Sequence, residues 1–226
     1  MAADKPLWEA TRDLHHACEE HVIGNSMSTG RPPKIWYKAW IQALYQIHSA
    51  IDPHVDDTIK RVTQLELDLA TLSEETVAPL TAATNYVATL DNELSIDGAA
   101  YVLTGAHLMG GEIMRRRFEG QEDGYPTNHL TWEDRPTAIA VLQTYRTRED
   151  ISEQARECFQ ALLNVMNEIY ILYPIMPTID LELIQRYQQF PEEYPDWDPE
   201  WTSNNNPDIW IWERERQEYI DTFTNQ

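Results

Sequence analysis

His15 and Glu19 stand four residues apart near the start of the chain, and Arg12 lies three residues before the histidine. On a helix this spacing lets the carboxylate accept a hydrogen bond from one imidazole nitrogen and leaves the other free to ligate a metal. Arg12, on the same side, can pair with an anionic group carried by whatever the histidine binds. A solvated helix face with an incidental histidine has the same spacing. His16, about 100° further around the helix, is the alternative ligand if the register differs. A second constellation lies in mid-chain, where Gly105, Gly110 and Gly111, with Ala99, Ala100 and Ala106, remove side-chain bulk from one stretch that also carries His107. Such a stretch either kinks and brings backbone against a flat ligand, or packs closely on another helix. Arg115, Arg116 and Arg117 follow it as the only basic triplet.

Other chemistry finds no footing. There is no G-x-x-x-x-G-K-[ST], no G-x-G-x-x-G after a strand, no H-E-x-x-H and no G-x-S-x-G, which sets aside P-loop, dinucleotide, zinc-protease and hydrolase readings. Cys18 and Cys158 form neither a C-x-x-C pair nor a zinc-like spacing, and are read as reduced, structural thiols. Among 226 residues, 17 Lys+Arg stand against 38 Asp+Glu, for a formal charge of −21. That balance excludes a basic nucleic-acid footprint. No apolar run is long enough to span a membrane, and the first residues lack the apolar core of a secretory signal, so a cytoplasmic location is expected.

The elements that must position these residues are helices. Apolar residues recur at spacings of three and four through the first 175 positions, which predicts an all-α, single-domain bundle over residues 1–178. Helices are expected at 7–22, stopped by Gly24 and Asn25, then at 35–51 and, after Pro53, at 55–72. Further helices are expected at 77–90, started by Ser73, and at 96–118, 135–145 and 150–172. The remainder, 179–226, differs. From position 181 it holds 11 acidic and 3 basic side chains, four prolines, and Trp197, Trp201, Trp210 and Trp212. It is read as an acidic extension packed on or beside the bundle, with a short last helix at 209–223.

The two constellations, in this order, resemble the heme oxygenase family. Residues 9–19, Glu-Ala-Thr-Arg-Asp-Leu-His-His-Ala-Cys-Glu, are similar to its heme-ligand helix, E-A-T-K-x-[VL]-H-x-x-A-E. Residues 100–111 are similar, without a gap, to its distal helix, A-Y-V-R-Y-M-G-D-L-S-G-G. Residues 43–48 resemble S-L-Y-H-I-Y, residues 65–69 resemble L-E-x-D-L, and residues 153–159 resemble E-E-A-K-x-A-F. The matches span about residues 7 to 170 and leave the tail uncovered.

This resemblance implies a heme-oxygenase-like helical fold and an enzyme that opens heme with O2 and reducing equivalents to biliverdin, CO and Fe(II). It implies His15 as the proximal iron ligand, Glu19 as its hydrogen-bonding support, and Arg12 and Arg156 as partners of the heme propionates. Ala106, Gly110 and Gly111 would line the distal face, and Tyr45 falls on a tyrosine of the distal hydrogen-bond network. An electron donor such as ferredoxin or a flavoprotein reductase is implied; Arg115, Arg116 and Arg117, the only basic triplet in a strongly acidic chain, either dock an acidic donor or form a solvated helix end stabilised by its dipole. One position departs from the pattern, because His107 stands where the quoted family members carry an aspartate. An imidazole there can hold water and relay a proton, or it can bind iron as a second axial ligand and leave a non-catalytic heme binder or sensor. Bacterial relatives with Y-V-L-E-G-S-x-L-G-G also lack the aspartate, and matching them shifts the glycine pair by one. The diiron members of the same fold need late histidine ligands, and no histidine follows His129.

Overall fold

In the first helix, α1 (Pro6–Glu20), Leu7, Thr11, Leu14 and Cys18 recur at spacings of four and three and face the interior. The computed structural model describes residues 6–72, 77–119 and 124–174. The expected stop at Gly24 and Asn25 does not occur. The chain breaks instead at His21, whose Nδ1 accepts from the Ile23 amide at 3.1 Å and caps a second helix, α2 (Val22–Ser28). Gly24 is needed inside α2 because a Cβ there would stand 1.9 Å from the Cys18 carbonyl oxygen.

Helix α3 (Lys34–Ile51) follows the expected pattern, burying Trp36, Ala43, Leu44, Ile47 and Ile51. The helix expected at 55–72 is shorter. Two 3-10 turns, Asp52–His54 and Asp57–Ile59, precede α4 (Val62–Thr71), because Pro53 and the capping side chain of Asp56 favour tight turns over a continuing helix. Helix α5 (Thr81–Val87) is likewise shorter than expected. Ser73 lies outside the described residues, and the amides of Thr81 and Ala82 are capped by the Glu168 carboxylate at 2.8 and 2.7 Å. The long helix expected at 96–118 begins earlier, at a capping box of Asn92 and Ser95, and is divided. It runs as α6 (Glu93–Gly105), a π-helical turn (Ala106–Gly110) and α7 (Gly111–Phe118). Helix α8 (Arg135–Arg146) is capped by Asp134.

The last described helix, α9 (Ser152–Leu172), organises the rest by packing against α1, α3, α5 and α6. Its buried face, Ala155, Cys158, Leu162, Val165, Met166 and Ile169, repeats at three and four, the period that gives one continuous apolar stripe. α6 meets it at Gly98, where a Cβ would lie 2.6 Å from Gln154 Cβ and 2.8 Å from the Ala155 amide. Among the described residues the secondary structure is helical throughout, so the fold is all-α. No described helix is long and apolar enough to cross a membrane. The helical unit ends at Tyr173, and the Trp-rich extension with its expected helix at 209–223 lies outside the described residues.

Candidate functional site

On α1 the side chain of His15 is about one-third exposed, at 34%. Aromatic rings hold it in place, with Trp8 5.1 Å away and Phe159 of α9 5.7 Å away, both edge-on. Glu19 Oε2 stands 3.5 Å from Nδ1 of His15 and also 3.5 Å from Nδ1 of His16, too far for a firm hydrogen bond to either. His15, His16 and Glu19 are thus gathered closely enough to share an ion. The two candidate propionate partners have different surroundings. Arg12 is exposed and makes no ion pair among the described residues, whereas Arg156 already binds both oxygens of Asp13, at 2.7 and 2.8 Å, and the Ala10 carbonyl. That bond from Arg156 holds the Asp13 carboxyl down at about 2.

The small residues of the α6–α7 segment separate into two groups. Ala99 and Ala100, beside Gly98, are buried in helix packing, so close approach of α9 accounts for them. Ala106 and Gly110, in the π turn, are exposed, and a Cβ on Gly110 would meet nothing within 4 Å. Gly111 departs from the expected lining role, since its Cα faces inward and a Cβ there would stand 2.9 Å from Leu130 Cδ2. Met109 and Ile113, on either side of the pair, are also exposed. The π turn shifts the backbone bonding pattern by one residue, and Arg135 of α8 donates to the Leu108 carbonyl at 3.1 Å within it.

His107, also in the π turn, is only 4% exposed. Its ring stacks on His48 of α3, with centroids 5.2 Å apart and planes 20° apart, and meets His129 edge-on at 5.4 Å. Two buried carboxylates orient the flanking rings. Asp52 Oδ1 accepts from His48 Nδ1 at 2.9 Å while its Oδ2 accepts the Arg61 and Val62 amides, both at 2.7 Å. Asp68 bonds His129 Nδ1 at 2.5 Å and accepts from the backbone amides of Asn128 and His129. Burial, then the proximity of His48, His129 and Arg61, pushes His107 well below the ordinary imidazole range. Burial also lowers His129 in spite of Asp68. For Asp68 burial pushes upward, but the bonds from His129 and Asn128 prevail and hold it below the usual carboxylate range. Arg61, packed on the Trp132 ring at 3.4 Å, is lowered to about 10 by burial.

Tyr45 does not join this cluster. Its hydroxyl bonds Glu66 Oε1 at 3.1 Å near the surface, and His48, one turn on, supplies the side chain that touches His107. His48, in the last turn of α3, and Asp52, its C-cap, are four apart and were legible in principle as a pair. Asp68 and His129 are 61 positions apart, and no local signal joins them. The basic triplet is partly neutralised, since Arg115 pairs with Glu112 and Glu119, and Arg116 with Glu112. His21, unexplained in the sequence, caps α2 and bonds Asn167 Oδ1 at 3.0 Å.

The helix order, with a histidine-bearing first helix and a broken glycine-containing sixth, is that of an all-α bundle of the heme-oxygenase type. The heme oxygenase family model matches residues 1–168, and the chain belongs to that family. Solved structures share the fold. Heme oxygenase-1 of the cyanobacterium Synechocystis sp. PCC6803, in complex with heme, is 19% identical with a TM-score of 0.61, over 83% of this chain and 96% of that one. Heme oxygenase-2 of Synechocystis sp. PCC 6803, in complex with heme and NO, is 18% identical with a TM-score of 0.62, over 74% and 84%. The heme oxygenase of Leptospira interrogans is 18% identical with a TM-score of 0.59, over 71% and 96%. No curated protein matches the chain.

Proposed function

We propose that this chain is a heme oxygenase that binds heme through His15 and opens it to biliverdin, CO and Fe(II), working in the cytoplasm. The observation that carries the reading is the pairing, within one family fold, of a ring-braced, part-exposed His15 on α1 with an open backbone face at Ala106 and Gly110 in the π turn. These residues fit a flat, metal-bearing ligand. An imidazole is available as ligand, the Gly110 face has no side chain to clash, and Arg12, with no ion pair among the described residues, is a cation for a propionate. The Trp8 and Phe159 rings keep the imidazole oriented, with Glu19 Oε2 3.5 Å from its Nδ1.

Bound heme supplies the oxygen activation and is itself the substrate; the protein supplies orientation, exclusion of bulk water and protons. Gly110, where even a Cβ would meet nothing within 4 Å, would leave room for the heme edge and so would restrict which meso carbon is presented. His107, neutral and enclosed, is suited to holding water and passing a proton. Arg12 rather than Arg156 takes the propionate, because Arg156 is committed to Asp13. Reducing equivalents come from a donor such as ferredoxin or a flavoprotein reductase. With Glu112 and Glu119 offsetting Arg115 and Arg116, the triplet offers a small positive patch rather than a strong one.

The non-catalytic alternative takes His107 as second axial ligand, and the burial of that ring against His48 and His129 speaks against it. One titration separates the readings. With one equivalent of hemin a histidine-ligated Soret band is expected, and with ferredoxin, its reductase, NADPH, air and catalase that band decays into the broad red absorption of biliverdin. His15→Ala abolishes the histidine-ligated spectrum. A stable low-spin band that survives reductant would overturn the oxygenase reading, and a wild-type spectrum in His15→Ala would overturn the ligand assignment.

A further inference from the structure

Nδ1 of His15 is buried and has no hydrogen-bond partner among the described groups. Glu19 Oε2 faces it at 3.5 Å, beyond a firm hydrogen bond, and stands equally far from Nδ1 of His16. Helix geometry makes the arrangement: residue 19 is four beyond 15 and three beyond 16, so one carboxylate sits a turn above both imidazoles. One donor atom from each of the three side chains lies within 4.8 Å of the others. In a tetrahedral site with metal–ligand bonds of about 2.0–2.1 Å, donors stand about 3.3 Å apart. His16 and Glu19, 56% and 61% exposed, have the freedom to close that gap by small rotations. His15 supplies the fixed point, because Trp8 and Phe159 brace its ring, and Trp8 also lies 6.5 Å from the ring of His16. Two imidazoles and one carboxylate suit borderline divalent cations such as Zn2+, Co2+ and Fe2+, whereas Ca2+ and Mg2+ prefer oxygen ligands throughout.

We infer that His15, His16 and Glu19 form a binding site for a divalent cation of the Zn2+ class in the heme-free protein, and that this cation and heme exclude each other at His15. The exclusion follows from the imidazole itself. A neutral ring has one nitrogen with a free lone pair and one that carries the proton, so it ligates one metal at a time. A cation on His15 Nδ1 leaves the proton on Nε2 and removes the ring as a heme ligand. The exclusion rests on the reading that His15 takes heme iron; the cation site does not. On the oxygenase reading the Fe(II) released from heme is a cation of this class, so the product ion competes with the next heme for the same side chain.

The test uses Zn2+ as the probe and the heme-free full chain. Calorimetric titration is expected to show one site, weakened about 100-fold or more in His16→Ala, since loss of an outer partner of a metal ligand alone costs about 10–100-fold. Long-range 1H–15N spectra are expected to place Zn2+ on Nδ1 of both rings. With Zn2+ at about ten times its Kd, the apparent Kd for hemin is expected to rise about 10-fold in the wild type and to stay unchanged in His16→Ala, which keeps His15. His15→Ala is expected to lose both ligands. Equal Zn2+ affinity in the wild type and His16→Ala would overturn the site and the exclusion together. A bound Zn2+ that leaves hemin affinity untouched would overturn the exclusion. Histidine-ligated hemin that survives His15→Ala while Zn2+ binding is lost would overturn the heme-ligand reading, and the exclusion with it, apart from the cation site.

Discussion

His107 and His129 show what a single buried side chain does to the pH dependence of this protein. Both have folded pKa values below the ordinary 6.5. Between 6.5 and those lower values the unfolded chain binds protons that the folded chain refuses, so stability is complete above about 6.5 and is lost as pH falls. Each such group contributes a slope of up to about 1.4 kcal/mol per pH unit. Urea unfolding from pH 7 to 5 is expected to show this decline, and His107→Phe to flatten it. A decline of equal slope in the variant would remove His107 from the account. His15 was legible in the sequence because its partner Glu19 lies four residues away and its neighbours form a compact pattern. His48 is not legible in the same way, because its contact with His107 comes from tertiary packing across α3 and the π turn. The pairing of Arg156 with Asp13 was equally hidden, since the two are 143 positions apart.

At the scale of helices, the small residues of α6 and the acidic residue at 168 carry separate jobs. Gly98→Ala would place a Cβ against Gln154 and the Ala155 backbone, and is expected to cost about 1–3 kcal/mol as α6 is forced off α9. Gly110→Ala faces open space and is expected to leave stability nearly unchanged while altering hemin affinity or the position of cleavage. Thermal unfolding of the two variants side by side checks the contrast; equal losses would contradict it. Glu168→Gln weakens the cap of α5 and is expected to destabilise by about 0.5–2 kcal/mol in the same experiment. The three-and-four periodicity located most helices, because a buried stripe leaves that trace regardless of partners. It placed their ends less well where long-range groups decide them. Glu168 caps α5 from another helix, and the Asp52 carboxylate gathers the Arg61 and Val62 amides so that α4 starts only at Val62.

For the molecule as a whole, a formal charge of −21 means that folding gathers like charges. Screening them is expected to raise thermal stability between 10 and 150 mM NaCl, by about 2–4 °C for each kcal/mol gained. A melting temperature indifferent to salt would show that local pairs such as Arg148 with Asp97 and Arg156 with Asp13 already balance the repulsion. The all-α class was plain from sequence, since apolar spacings of three and four run through most of the first 175 residues, while the division of α6 from α7 was not. A π turn holds one residue more than an α turn in the same length of helix. The relatives with Y-V-L-E-G-S-x-L-G-G have one residue fewer than residues 101–111 between the tyrosine and the glycine pair. Ala106–Gly110 is thus where a single-residue insertion is stored without opening a loop. The two family patterns stand one such event apart, and deleting Met109 should close the turn to a regular helix, carrying His107 and Gly110 into a new register within an otherwise intact bundle.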